Sequence, residues 1–137
     1  MSLKVEVIGP YPPCIRCHRV YRMLKQLKRE HSADMEIERI YAGSEEAEKY
    51  GKIVEAEVFA EKMGIDLDYR KLFEQRDINA IDEKLAPYVE MAKEQSIFLT
   101  PVIIVNGNVV SMGRVPRREV LEELVLSHES MTNGERC

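Results

Sequence analysis

Lys4-Val5-Glu6-Val7-Ile8 alternates and then turns apolar, the pattern of a short strand. It stops at Gly9-Pro10-Tyr11-Pro12-Pro13, whose prolines continue neither a strand nor a helix. From Cys17 onward Val20, Met23, Leu24 and Leu27 recur at helical spacing, with Arg19, Arg22, Lys25, Lys28 and Arg29 on the remaining positions. This predicts an amphipathic helix whose late cations suit the negative end of its dipole. Ser32-Ala33-Asp34 breaks it, and Met35, Ile37 and Ile40-Tyr41 outline a second strand that closes at Ala42-Gly43-Ser44.

Ser44-Glu45-Glu46-Ala47 reads as a helix start, and Ala47, Tyr50, Val54 and Val58 carry the spacing on to Met63-Gly64. A further helical pattern runs through Ile78, Ile81, Leu85, Val89 and Ala92, with Pro87 inside it predicting a kink or break near Leu85 and Ala86. Ile65 to Arg76 is a connector without a clear period. The β-branched run from Thr100 to Val105, the Asn106-Gly107-Asn108 turn and Val109 to Met112 predict a β-hairpin. Val120, Leu121, Leu124 and Val125 face the core from a last helix, and the pattern lapses after about His128. No segment repeats. Helices between strands imply parallel crossovers, and the late hairpin adds an antiparallel edge. The expectation is an α/β domain over 1–128 with a mixed sheet and helices on both faces, a helical insertion at 44–99, and a flexible tail at 129–137.

With 137 residues, 45% hydrophobic and 32% charged, the chain has the make-up of one soluble domain. A net charge of −4 gives nucleic acid no basic surface to hold, and Arg114 to Arg118 reads as a helix start. No apolar run approaches the roughly 18 residues of a membrane span. Met1 to Val5 enters a strand pattern without the features of a signal peptide, so the expected location is cytoplasmic. Three cysteines make no disulfide framework; they read as one working pair and an exposed odd thiol, Cys137.

The pair is Cys14-Ile15-Arg16-Cys17-His18, set between the first strand and the first helix. Thiols at i and i+3 on a helix share a face, and at a helix N-terminus the dipole favours the thiolate. Dithiol exchange, metal or iron–sulfur ligation and haem attachment all use this motif. Zinc needs about four ligands, and Cys14, Cys17 and His18 supply three, with His31, His128 and Cys137 far away in sequence, so no metal site is expected. Haem attachment goes with export and a second axial ligand, for which Met112 or Met131 would be a guess.

The element order, the CxxC at the first strand-to-helix turn and Thr100-Pro101 at the third strand together resemble the thioredoxin/glutaredoxin superfamily over nearly the whole chain. The resemblance implies a thioredoxin-like mixed four-stranded sheet flanked by helices. The enlarged helical segment between the second and third strands resembles that of the disulfide-bond oxidoreductase branch. It also implies a cis Pro101 against the cysteines, and a Thr100 backbone that pairs with an extended substrate segment. Thr100, Pro101 and Pro13 are the implied substrate-binding residues. The chain departs from the family in having no tryptophan before Cys14, in its Ile15-Arg16 dipeptide, and in Met112-Gly113-Arg114, which does not reproduce the Gly-Gly and acidic pattern that holds glutathione.

The expected function is thiol–disulfide exchange without a bound cofactor. Cys14 is the attacking thiolate and Cys17 the resolving thiol, with Arg16 and His18 as tuning groups and a protein or small-molecule disulfide as substrate. A dedicated reductase is a further candidate partner. A stabilised thiolate predicts a couple more oxidising than thioredoxin's. The competing expectation is a thioredoxin-like module that senses redox state or holds a metal without turnover. His18 reads as a half-exposed helix residue sharing solvent with Arg16 and Arg19. Glu6 reads as a strand-edge carboxylate in reach of water rather than a proton acceptor for Cys17. Tyr50, Phe59, Met63, Tyr69 and Phe73 read as core rather than groove.

Overall fold

The computed structural model describes residues 3–10, 14–31, 34–66 and 69–135, with residues 128–135 as backbone only. Pro13 and Cys137 lie outside the described residues. The elements run β1 (Leu3–Gly9), α1 (Ile15–Glu30), β2 (Met35–Tyr41), α2 (Glu45–Glu48), β3 (Lys52–Val54), α3 (Ala56–Lys62), α4 (Tyr69–Glu74), α5 (Ile78–Glu94), β4 (Ile97–Leu99), β5 (Val102–Val105), β6 (Asn108–Met112) and α6 (Arg118–Glu135).

The main sheet has the order β2-β1-β5-β6, with β1 parallel to β2 and antiparallel to β5, and β6 antiparallel to β5. It is the expected mixed four-stranded sheet. Alternation along the strands decides which residues go where. Leu3, Val5, Val7, Ile103 and Val105 pack with Val20, Leu24 and Leu27 of α1 and with Leu121 and Val125 of α6. Ile8, Ile40, Val102 and Ile104 face the other way. That second face is covered by Ala47 of α2, Tyr50, and Ile53 and Phe98 of β3 and β4, where a longer helix was expected.

The insertion is not wholly helical. The single helix expected from Ser44 to Met63 is one turn of α2, then β3, then α3. Ser44 caps α2 by accepting from the Ala47 N–H at 3.2 Å, and Gly51, at φ 119°, turns the chain where a helix cannot continue. Ile53 and Val54 then pair in parallel with Phe98 and Leu99. Spacings of three and four had carried Tyr50 and Val54 into a helix, but two β-branched residues after a glycine serve a strand better.

Pro87 breaks nothing: α5 is continuous from Ile78 to Glu94. The hydrogen bond a proline forfeits would have gone to Glu83, and both residues lie on the solvent face, while Ile81, Leu85 and Ala92 hold the other face in the core. The connector contains α4, whose buried Tyr69 meets Phe73 edge-on at 5.8 Å between ring centroids. With Phe59, Ile97 and Leu99 these residues give the insertion its own core. Phe59 and Tyr69 are the buried core residues expected; Met63 is exposed. The Asn106-Gly107 turn has positive φ at both residues, 49° and 83°, as a tight hairpin demands. α6 runs to Glu135, so the stretch expected to be a flexible tail is helical through that residue.

A core separate from the main sheet predicts that Leu85→Ala costs about 2–5 kcal/mol in urea unfolding, the usual penalty for a buried leucine. Met63→Ala, on exposed surface, should stay within about 0.5 kcal/mol of the parent. Equal small effects would mean the insertion packs loosely.

Candidate functional site

Gly9 ends β1 because nothing larger fits: a Cβ there would stand 2.5 Å from the Cys17 sulfur. That close approach lets α1 start hard against the sheet and buries Cys17. Cys14 is the last residue before the helix, in extended conformation at φ −83° and ψ 169°, and its carbonyl accepts from the His18 N–H at 3.0 Å, closing the first turn. The i, i+3 spacing puts the two sulfurs 3.5 Å apart, both as free thiols, Cys14 half-buried and Cys17 buried.

The two thiols differ sharply in acidity. Cys14 is brought down to about 7, first by the hydrogen bond the Cys17 thiol gives its thiolate, then with help from the Cys17 backbone N–H and the Arg16 charge. Burial and the negative charge of Glu57 oppose this. Cys17 is pushed far up, chiefly because its proton is held in that same bond, and also by burial and by the neighbouring thiolate.

Arg16, expected in solvent as a tuning cation, is fully buried. Its Nε donates to Asp82 Oδ1 at 2.9 Å, Nη2 to the Gly113 carbonyl at 2.6 Å and Nη1 to the Thr100 carbonyl at 3.3 Å, with Glu57 Oε1 3.9 Å from Nη1. Asp82 Oδ2 in turn accepts from the Val115 N–H at 2.8 Å. Arg16 also lowers Cys14, by less than the hydrogen bonds from Cys17 do. His18 is exposed, its Nδ1 3.3 Å from Arg39 Nη2. The chief groups acting on Cys14 are Cys17, Glu57 and Arg16, and His18 is not one of them.

Thr100 and Pro101 are buried, and the peptide between them is cis. The Thr100 N–H donates to the Val54 carbonyl at 3.2 Å, its carbonyl accepts from Arg16, and its hydroxyl accepts from the Ala56 N–H at 3.1 Å at the start of α3. The strand-fashion pairing with substrate expected of Thr100 therefore meets a backbone already bonded to β3 and to Arg16. Glu6 is also corrected: β1 is central, and the carboxylate is buried at 5% exposure, accepting from the Tyr50 hydroxyl at 2.7 Å. This bond pushes Tyr50 up to about 12. Alternation places Glu6 on the sheet face away from α1, so it does not serve the thiols.

The carboxylate beside the thiols is Glu57, in the first turn of α3. Burial raises its pKa, and its Oε1 is buried with no hydrogen-bond partner. Neither Glu57 nor Asp82 was singled out from the sequence. One signal was there: Arg16, Val20, Leu24 and Leu27 fall on one stripe of α1, and a cation on an apolar stripe requires a buried carboxylate.

A family model described as a thioredoxin domain matches residues 57–126. The chain belongs to the thioredoxin domain family. The matched stretch runs from α3 into α6 and holds Asp82, Thr100-Pro101 and Gly113, whereas Cys14 and Cys17 precede it. No curated protein and no solved structure matches the chain. In this thioredoxin domain the matched half supplies the partners of Arg16, and Arg16 stands between the two cysteines. The fold and a general redox role follow from the family. No helix among the described residues is long and apolar enough to cross a membrane, and no group of three or more His, Cys, Asp or Glu side chains among them is placed to hold a metal ion.

Two predictions arise from this geometry. Alkylation of Cys14 by iodoacetamide should accelerate as pH rises, with its midpoint near 7, since only the thiolate reacts. In Glu57→Gln the midpoint should move lower, because a charge that disfavours the thiolate is gone; an upward move would contradict the electrostatics. Arg16→Met should cost about 3–5 kcal/mol by stranding Asp82. Asp82→Asn added to it should recover part of the loss in a double-mutant cycle, and additive losses would mean the pair is not coupled.

Proposed function

We propose that this thioredoxin domain is a thiol–disulfide oxidoreductase that works through a mixed disulfide on Cys14. The observation that carries the reading is the asymmetry of the pair: a half-buried sulfur at the edge of a groove, ionising near 7, and 3.5 Å from it a buried sulfur that keeps its proton. In the reducing direction the Cys14 thiolate attacks one sulfur of the substrate disulfide. A Cys14–substrate S–S bond forms, the substrate S–S bond breaks, and the distal sulfur leaves as a thiolate. Cys17 then attacks Cys14, its proton passing to the departing substrate sulfur, so that the chain ends as a disulfide and the substrate gains two electrons. An external thiol or dithiol, from a small molecule or a dedicated reductase, restores the pair.

A thiol near 7 stands at the level of thioredoxin itself, whose nucleophile is also at about 7. A reducing, cytoplasmic compartment would keep the pair as a dithiol between turnovers.

The test is turnover of hydroxyethyl disulfide and of insulin with dithiothreitol. The parent should turn over both, Cys14→Ser should abolish the reaction, and Cys17→Ser should accumulate a mixed disulfide visible by mass spectrometry. A parent no faster than dithiothreitol alone would sink the proposal, and stoichiometric zinc or iron in that inactive protein would replace it with a metal-holding module.

A further inference from the structure

A groove of about 510 Å³ opens beside Cys14, and its charge serves nothing else in the site. His18, Arg19 and Arg22 line it from α1, Arg39 from β2 and Arg76 from the turn before α5. No carboxylate lines it, in a chain whose net charge is −4. Among the described residues none of these arginines is paired with a carboxylate, although exposed Lys4, Arg70 and Arg118 each are.

Folding does not ask for this arrangement. A helix start favours acidic residues, yet the first turn of α1 has none and places His18 on the groove. The largest influences on the acidity of Cys14 are Cys17, burial, Glu57 and Arg16, and none of these is a groove arginine. Arg39 is held in place, its guanidinium 4.0 Å over the Tyr21 ring with Nη2 against His18. Three separate elements thus converge cations on one space next to the reacting sulfur.

We infer that this groove binds an acidic segment of a protein substrate, so that the disulfides Cys14 attacks are those flanked by Asp or Glu. The inference rests on Cys14 being the nucleophile, as proposed above. Reach favours a segment over a single anionic group. From Cys14 to Arg22 the helix advances about 12 Å at about 1.5 Å per residue. An extended peptide covers that distance in about three to four residues. Guanidinium forks bind carboxylates two bonds at a time, so several arginines along this path match several acidic side chains. Each exposed pair contributes little alone, but the cluster also steers encounter, and both effects fade with salt.

The test uses synthetic peptides of equal length, each with one cysteine in a disulfide with 2-mercaptoethanol and flanked by Glu, Gln or Lys. With dithiothreitol as reductant, kcat/KM for the Glu peptide should exceed that for the Gln peptide by about tenfold at low salt, with the Lys peptide lowest and the gap closing at high salt. Arg19→Gln/Arg22→Gln should shrink the gap, and Arg114→Gln/Arg117→Gln, with the same change in charge, should keep it. Equal rates for Glu and Gln, a preference that survives Arg19→Gln/Arg22→Gln, or an equal gain for a small dicarboxylic disulfide would each overturn the inference. Anisotropy binding of the same peptides, with serine for cysteine, to Cys14→Ser/Cys17→Ser separates the two claims. Acid-selective binding without turnover in the parent keeps the groove and removes the enzyme reading; turnover without acid-selective binding does the reverse.

Discussion

A guanidinium with no exposed surface organises this molecule. Burying a guanidinium is tolerable only where acceptors surround it, and Arg16 is fully buried. The chain supplies them from three places remote in sequence: the Asp82 carboxylate on α5, the Thr100 carbonyl between β4 and β5, and the Gly113 carbonyl after β6. Each acceptor fixes the position of its own element against the start of α1. Because Arg16 lies between Cys14 and Cys17, whatever anchors it also sets the stance of both sulfurs. Removing Asp82 would leave a buried charge unmatched, a larger penalty than losing an ordinary hydrogen bond.

This gives the insertion a purpose at the site. Asp82 and Glu57 both belong to it, one neutralising Arg16 and the other setting a negative charge beside the thiols. The insertion also closes the edge next to Thr100. β3 takes the Thr100 N–H and α3 starts on its hydroxyl, so the backbone near the cis-proline is occupied by the chain itself. Gly113 shows the same economy of space: at φ 71°, a Cβ would lie 2.5 Å from Val89 of α5, so glycine lets α5 come close enough for Asp82 to reach Arg16. A loop that resembles a ligand-holding turn by position is here turned toward its own helix.

What the sequence showed and what it hid divide along a physical line. Periodicity and turn chemistry are local, so α1, β1, β2 and the Asn106-Gly107 hairpin were legible, as was the cysteine pair at the helix start. Long-range pairing is not local. β3 is three residues long and exists because β4 lies beside it, so its apolar residues fitted a helical period equally well. The cost of Pro87 depends on which face of α5 it occupies, and the local pattern does not show that face. Glutamates are rarely buried, which argues for a strand edge at Glu6, but the Tyr50 hydroxyl makes a buried carboxylate acceptable. Arg16 was readable in phase with Val20, Leu24 and Leu27, but only the fold names its partners.

The cations of α1 then fall into two kinds that composition cannot separate. Arg16 is consumed by the fold: its donors are spent on protein acceptors and its charge is matched by Asp82. Arg19 and Arg22, about one and two turns farther along and rotated off the buried stripe, face the groove beside Cys14. In a net-acidic chain this local surface stays basic because no carboxylate lines the groove, while Asp82 pairs with Arg16, Glu61 with Arg70 and Tyr69, and Glu122 with His31. The same helix therefore locks the thiols from its inner face and presents unmatched charge from its outer one. Three residues of phase separate structural from solvent-facing arginine, and that difference, more than the number of charges, gives the site its electrostatic character.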